Sequence, residues 1–435
     1  MKPFKIVLFA LAFLLFAAVA YMAISGKGIQ QLAVMLEITP PETAHSETAQ
    51  HGTGSPETTS PGTAPSETQD SGSFNENADT AGNTVQGTSQ SAGTASQAVD
   101  SNPSGNEEPR KPEIRFMAVG DIMLGRGVGM RLRRAGDYRK AFEKVSSYLN
   151  SGDIVFANLE TPLTTSTHGL DKDRKIVLKA EPESVAALTS AGINLVSLAN
   201  NHIMDYYEKG LMDTIELLDR NDIAHAGGGK NIDEARKPAI IEKNGLKIGL
   251  LAYTDMAELV FAGNPYLSFA AGKEKSGVAP RKYEIVMEDV AKARDRVDIL
   301  AVSLHWGIEE SFRISPEQVE FARSLIDNGV DLVLGHHPHQ FQGIEMYKGK
   351  PIIYSMGNIL FDQNDPENME SFIVDMRYEG NELKEFEAIP VRILEKSYVE
   401  IQEGEDAVKM LERQAELCRK LGTNPAVEDS KLVFK

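Results

Sequence analysis

Apolar runs and helical repeats alternate along the chain beyond about residue 113. Residues 114–119 read as a buried strand that enters a turn at Gly120-Asp121, and helical patterns follow to about residue 149. A second apolar run, 154–157, ends in Asn158-Leu159-Glu160. Residues 182–191 look helical and lead into a third run, 193–198. Residues 208–221 form an amphipathic pattern with Leu211, Ile215 and Leu218 on one face. Residues 247–253 predict another strand. Helical repeats at 283–296 and 316–328 precede apolar runs at 299–304 and 330–334. Runs at 351–355, 372–378 and 386–393 predict closing strands, and 407–421 a last helix. Strands that first alternate with helices and then cluster predict a layered α/β sandwich rather than a simple Rossmann fold.

The N-terminal part has a different pattern. Lys2 and Lys5 lead into an uncharged run from residue 6 to 25, long enough for the apolar core of a bilayer. This predicts a retained anchor within an N-terminal region 1–38. The alternative is a cleaved signal peptide, since Ala18-Val19-Ala20 fits a small-residue cleavage pattern. Lys2 and Lys5 would keep the N-terminus cytoplasmic and place the rest outside a bacterial cell membrane, as a single-pass protein.

A spacer at 39–112 follows. Its stretch 39–109 holds ten acidic residues and no Lys or Arg, and repeats Pro-Glu-Thr or Ser-Glu-Thr around Glu42, Glu47, Glu57 and Glu67. Such a segment has too little apolar surface to offset ordering entropy, so it is expected to be a disordered tether. Of the net charge of −18, this stretch supplies −10. The moderately acidic remainder argues against nucleic acid as a partner. A local basic cluster, Arg126, Arg131, Arg133 and Arg134, could meet an anionic substrate, although the last three could be an ordinary solvated helix face. The single cysteine, Cys418, cannot form an intramolecular disulfide. The globular part divides into a domain at 113–400 and a helical extension at 401–435.

Candidate chemistry gathers where the predicted strands end. Ala199-Asn200-Asn201-His202, His305-Trp306-Gly307 and His336-His337-Pro338-His339 each lie at or just past the end of an apolar run. In open α/β sheets, ligands sit in the crevice beyond the carboxyl ends of the strands. Imidazole is the commonest side-chain ligand for borderline transition metals. Asp121 and Glu160 stand in the same strand-end context, although Asp after Gly is also a common turn residue. Asn158 could bind substrate or steady a ligand by hydrogen bonding. His337 and His339, two apart and taken as extended, would project to one side and share a centre. His336 is expected to point away from the site, and Trp306 to pack beside it. His168 and His225 receive no role.

These motifs carry a resemblance. Gly120-Asp121-Ile122-Met123-Leu124-Gly125-Arg126, Asn158-Leu159-Glu160, Leu198-Ala199-Asn200-Asn201-His202 with Asp205-Tyr206 and Gly210-Leu211, Ser303-Leu304-His305-Trp306-Gly307 with Glu309, His337-Pro338-His339, and Tyr354-Ser355-Met356-Gly357-Asn358 with Phe361-Asp362 occur in order. Together they are similar to the CapA family of poly-γ-glutamate capsule biosynthesis proteins. One departure is Tyr207, where that family carries glycine.

The resemblance implies an α/β/β/α sandwich like that of calcineurin-like metallophosphatases, with two divalent metals (Mn, Zn or Fe) at the strand ends. Asp121 and Glu160 would be the first carboxylates, Asn201, His305 and His337 would hold one metal, and His339 the other. His202 would be the general acid, and Arg126 and Asn158 would meet substrate. Met123 stands where phosphatases carry histidine, and Glu160 where they carry aspartate, which would make one metal site weaker or suit it to a different ion. The implied partners are an anionic polymer such as poly-γ-glutamate, the cytoplasmic membrane and other membrane subunits of a capsule synthesis complex. The implied function is that of a membrane-anchored extracytoplasmic protein of poly-γ-glutamate capsule synthesis or export, with a two-metal hydrolase-like site. Two alternatives stand beside it: a non-catalytic polymer-binding export subunit, and a metal-dependent phosphoesterase or epimerase unrelated to capsule.

Overall fold

A computed structural model describes residues 111–171, 173, 175–258 and 268–435. The apolar run at 6–25 and the acidic stretch 39–109 lie outside these. Among the described residues no helix is long and apolar enough to cross a membrane.

The chain runs β1 (Glu113–Ile122), α1 (Arg126–Arg134), α2 (Ser146–Leu149), β2 (Ile154–Leu159), α3 (Val185–Ser190), β3 (Leu195–Ser197), α4 (Tyr207–Arg220) and β4 (Ala224–Ala226). It continues with β5 (Gly228–Gly229), α5 (Ile232–Ala235), β6 (Ala239–Lys243), β7 (Leu246–Thr254), β8 (Gly277–Val278), α6 (Tyr283–Arg294), β9 (Ile299–His305), α7 (Pro316–Asp327) and β10 (Leu332–His336). Then come β11 (Ile344–Tyr347), β12 (Lys350–Ile353), β13 (Asn358–Leu360), β14 (Glu370–Glu379), β15 (Glu382–Leu394), β16 (Tyr398–Ile401), α8 (Gly404–Arg419), β17 (Ala426–Glu428) and β18 (Lys431–Phe434).

Two large sheets result. One has the order β17-β18-β15-β14-β1-β2-β3-β4, with β13 beside β1 and β16 beside β15. The other has the order β11-β12-β10-β9-β7-β6. In the larger sheet the parallel strands β1 to β4 run to one edge and antiparallel strands continue from β1 on the other side, whereas in the smaller sheet the parallel strands β7, β9, β10 and β12 have an antiparallel strand at each edge. Central parallel strands are covered on both faces and therefore read as continuous apolar runs. All seven residues of β9, Ile-Leu-Ala-Val-Ser-Leu-His, are buried.

Alternation along each strand sorts side chains between layers. On β9, Ile299 and Ala301 join Ile114, Phe116 and Ala118 of β1 in a core between the sheets. Leu300, Val302 and Leu304 face the other way, against Val286 and Val290 of α6 and Phe321 and Leu325 of α7. Met117 and Val119 of β1 pack outward with Val128 of α1, Leu188 of α3 and Leu211 of α4. The protein is thus a mixed α/β fold of four layers, helix, sheet, sheet and helix. The helix expected near the C-terminus is α8, and Met410, Leu411 and Cys418 bury into the inter-sheet core. The hairpin β17–β18 behind it joins the larger sheet on β15.

Helix ends follow local chemistry. Ser315 accepts from the backbone N–H of Gln318, and the Gln318 side chain accepts from the Ser315 N–H, with Pro316 at the first helical position of α7.

Candidate metal centre

The parallel strands of both sheets end on one side of the molecule, and the polar residues at those ends converge. Asp121 closes β1 between Asn158 of β2 and Asn358 of β13. Gly120 allows the close approach: a Cβ there would stand 2.0 Å from the Gly357 carbonyl oxygen. Glu160 follows β2, held by its N–H to the Ile122 carbonyl at 2.9 Å. His305 and His336 are register partners at the ends of β9 and β10. Asp121, Glu160 and His336 are wholly buried, and His305, His337 and His339 nearly so.

Asparagine amides hold this cluster together. The Asn158 side-chain N–H donates to Asp121 Oδ1 at 2.9 Å and to Glu160 Oε2 at 3.2 Å. Asn200 in turn donates to Asn158 Oδ1 at 3.1 Å and to the Leu159 carbonyl at 2.9 Å, and accepts from the backbone of His202 and Ile203. Asn158, expected to touch substrate or steady a ligand, is fully buried and bonded to both carboxylates. Asn201 Oδ1 lies 3.0 Å from His305 Nε2. The His305 and His337 rings are 4.8 Å apart, and those of His337 and His339 6.2 Å. Asp121, Glu160 and His339 present ligand atoms within 4.8 Å of one another.

Several expectations change here. His336 does not point away: its Nδ1 lies 2.8 Å from Asp121 Oδ1. Its side chain shares the direction of its register partner His305, which also reaches the site. His337 and His339 are not extended, with φ at 96° and 60°, so left-handed backbone rather than strand alternation brings both rings in. Tyr207, at the start of α4, has φ 53°, the region glycine occupies most easily, and stacks on His168 at 5.1 Å. Trp306 faces the outer core, stacking on Tyr354 and donating Nε1–H to its carbonyl at 2.9 Å. Met123 contributes no imidazole, and its sulfur accepts from the Gly125 N–H. Arg126 is paired with Asp362, donates to the Lys175 carbonyl at 2.7 Å, and lies 5.5 Å over the Phe361 ring. Phe361 itself contacts His339 at 4.9 Å, so Arg126 stands one ring away from the cluster.

The sequence alone assigns Asp205 no role. Its Oδ2 lies 2.8 Å from His202 Nδ1 and accepts from the Leu178 N–H at 2.7 Å. The signal was its spacing, three residues after His202 in a turn. The scaffold role of Asn200 is not legible in the sequence, because an amide in a loop has many uses.

The electrostatics favour a cation. Burial would push Asp121 up, but hydrogen bonds from His336 and His339 hold it well below the usual carboxylate range. Glu160 is pushed well up by burial, then by the negative charge of Asp121 and Glu309. Burial, and then neighbouring His337, holds His305 well below the ordinary imidazole value. Burial, with His339 nearby, brings His337 down to about 4. The two imidazoles are therefore neutral near pH 7, the state that ligates metal. Glu160 Oε1 and His337 Nδ1 are buried with no hydrogen-bond partner among the described residues. Such orphaned atoms are costly unless something binds them. Carboxylate oxygens, an amide oxygen and imidazole nitrogens together suit Mn, Fe or Zn. These residues fit a divalent metal: Asp121, Glu160 and His339 on one side, and Asn201, His305 and His337 on the other.

The sequence pattern of the family described as bacterial capsule synthesis protein PGA_cap matches residues 115–363. The chain is 33% identical over 296 residues to the capsule biosynthesis protein CapA of Bacillus anthracis, covering 66% of this chain and 69% of that one. It is 32% identical over 317 residues to the PGA biosynthesis protein CapA of Bacillus subtilis, covering 73% and 80%. Among solved structures, a Staphylococcus aureus protein named as a candidate 5'-nucleotidase superposes with a TM-score of 0.39 at 14% identity, over 71% of this chain and 58% of that one. A likeness that slight says nothing of function. The matched stretch 115–363 contains every residue of the cluster built above, and the chain belongs to the bacterial capsule synthesis protein family PGA_cap.

Proposed function

We propose that this chain is a membrane-anchored, extracytoplasmic protein of poly-γ-glutamate capsule synthesis or export that carries a divalent-metal, hydrolase-like site. Family membership and the CapA relatives support the capsule role. One observation carries the metal reading: among the described residues Glu160 Oε1 and His337 Nδ1 are buried with no hydrogen-bond partner, beside Asp121, His305 and His339. The uncharged run at 6–25 supports the anchor, with the spacer as tether. Other membrane subunits would complete the assembly.

Bound divalent metal would supply an ionised water and charge neutralisation on the bond being cut. The chain's own residues would do the rest. Asn158 and Asn200 fix the carboxylates. Asp205 orients His202 through Nδ1, so that Nε2 is the nitrogen that hands a proton to the leaving group. The His202 side chain keeps 12% exposure while Asp205 behind it has none, as a residue meeting substrate requires. The anionic polymer, or a phosphoester, is the substrate class.

The test is His202→Ala in a polymer-making host. The variant should keep metal and fold but make less polymer, or polymer of altered length. Retained metal with normal polymer would replace this reading with the polymer-binding export subunit.

A further inference from the structure

We propose that His336 fixes which oxygen of Asp121 faces the cation: its Nδ1–H caps Oδ1 and leaves Oδ2 as the metal-facing atom. The inference rests on the metal reading above and assigns a positioning residue to that site.

An ionised carboxylate can only accept, so the proton between Asp121 Oδ1 and His336 Nδ1, 2.8 Å apart, sits on the imidazole. Oδ1 also accepts from the Asn158 amide at 2.9 Å. Two good donors fill that oxygen. Among the described residues Oδ2 has longer contacts, the His337 backbone N–H at 3.3 Å and His339 Nδ1 at 3.5 Å, on the side where Glu160 and His339 gather. The carboxylate is therefore held in one rotation, with one oxygen spent and the other presented. A bidentate grip through both oxygens would require breaking the His336 or Asn158 bond.

His336 works through one nitrogen only. Its Nε2 is buried with no hydrogen-bond partner among the described residues, and the ring lies 5.6 Å from Phe156, a residue of the inter-sheet core. A residue there for volume alone would not carry an unsatisfied nitrogen into a site of no exposure. Hydrogen-bond partners of metal ligands are typically worth about 10- to 100-fold in metal affinity.

The asymmetry of the ring provides the test. The amide nitrogen of Asn occupies the place of His Nδ1, and that of Gln the place of His Nε2. The whole chain, purified in detergent and stripped with chelator, is titrated with Mn²⁺ and Co²⁺ as wild type, His336→Asn, His336→Gln and His336→Leu. The expected result is wild-type affinity and an unchanged cobalt spectrum for Asn, with about 10- to 100-fold weaker binding and an altered spectrum for Gln and Leu. Equal affinity in all three variants, or rescue by Gln rather than Asn, would overturn the proposal and leave His336 as core packing. A check that needs no variant is the tautomer read from ring nitrogen shifts of the metal-free wild type: protonated Nδ1 is expected, and protonation at Nε2 alone would overturn it. Wild type that binds neither ion would remove the metal reading, and this inference with it, whereas a binding wild type with indifferent variants removes only the inference.

Discussion

His202 and His336 are both histidines at strand ends, and their surroundings give them opposite work. His202 keeps part of its ring toward solvent, with Nδ1 on Asp205, while His336 is sealed and spends Nδ1 on Asp121. His202→Ala is expected to retain metal and melting temperature. It should lower cleavage of an activated phosphoester by about 10²- to 10⁴-fold, the usual worth of general acid–base help. Steady-state kinetics with metal analysis on the same sample checks both halves. At this scale the sequence identified the residue types and the region, since carboxylate, amide and imidazole at strand ends form a readable pattern. It did not give direction. His336 adjoins His337 and was expected to turn away, because facing depends on the register of β10 against β9, which a single chain does not print. The positive φ of His337 and His339 was equally hidden, since non-glycine residues rarely adopt it.

Glycine sets how closely the strand ends can approach. A Cβ on Gly335 would lie 1.9 Å from the Tyr354 carbonyl oxygen, and backbone there cannot swing aside. Gly335→Ala is expected to cost about 1–3 kcal/mol or more, as overpacking does. Because His336 and His337 follow directly, it should also weaken metal binding. Ser315→Ala removes the capping box of α7 and should cost about 1 kcal/mol with metal binding intact. Urea denaturation of the two variants beside metal titration separates a site effect from a helix effect. The long elements were legible because their burial is periodic. α4, α6, α7 and the runs that became β7, β9 and β14 have one clear face or none exposed. The two- and three-residue strands β4, β5, β8 and β13 were not, since so short a segment carries no period and exists through its partners. The hairpin β17–β18 was missed for the same reason, its pairing with β15 being long-range.

For the whole molecule, the claim is a metal-bearing α/β domain held outside the membrane by an N-terminal anchor. Protease added to intact spheroplasts should release that domain by cutting between residues 39 and 112. Domain found free in the medium with Tyr21 as its new N-terminus would instead support the signal-peptide alternative. The central claim is that the ends of two sheets, β1, β2, β9 and β10, make one divalent-metal centre. Its most direct test is metal analysis of the purified whole chain, as wild type and as the His337→Ala, His339→Ala double variant. The account predicts at least one transition-metal ion per wild-type chain. It also predicts loss of that ion in the double variant, with a lower melting temperature, because an ion that binds only the native state stabilises it. Unchanged metal content in the double variant, or no ion in wild type supplied with Mn, Fe and Zn, would contradict it.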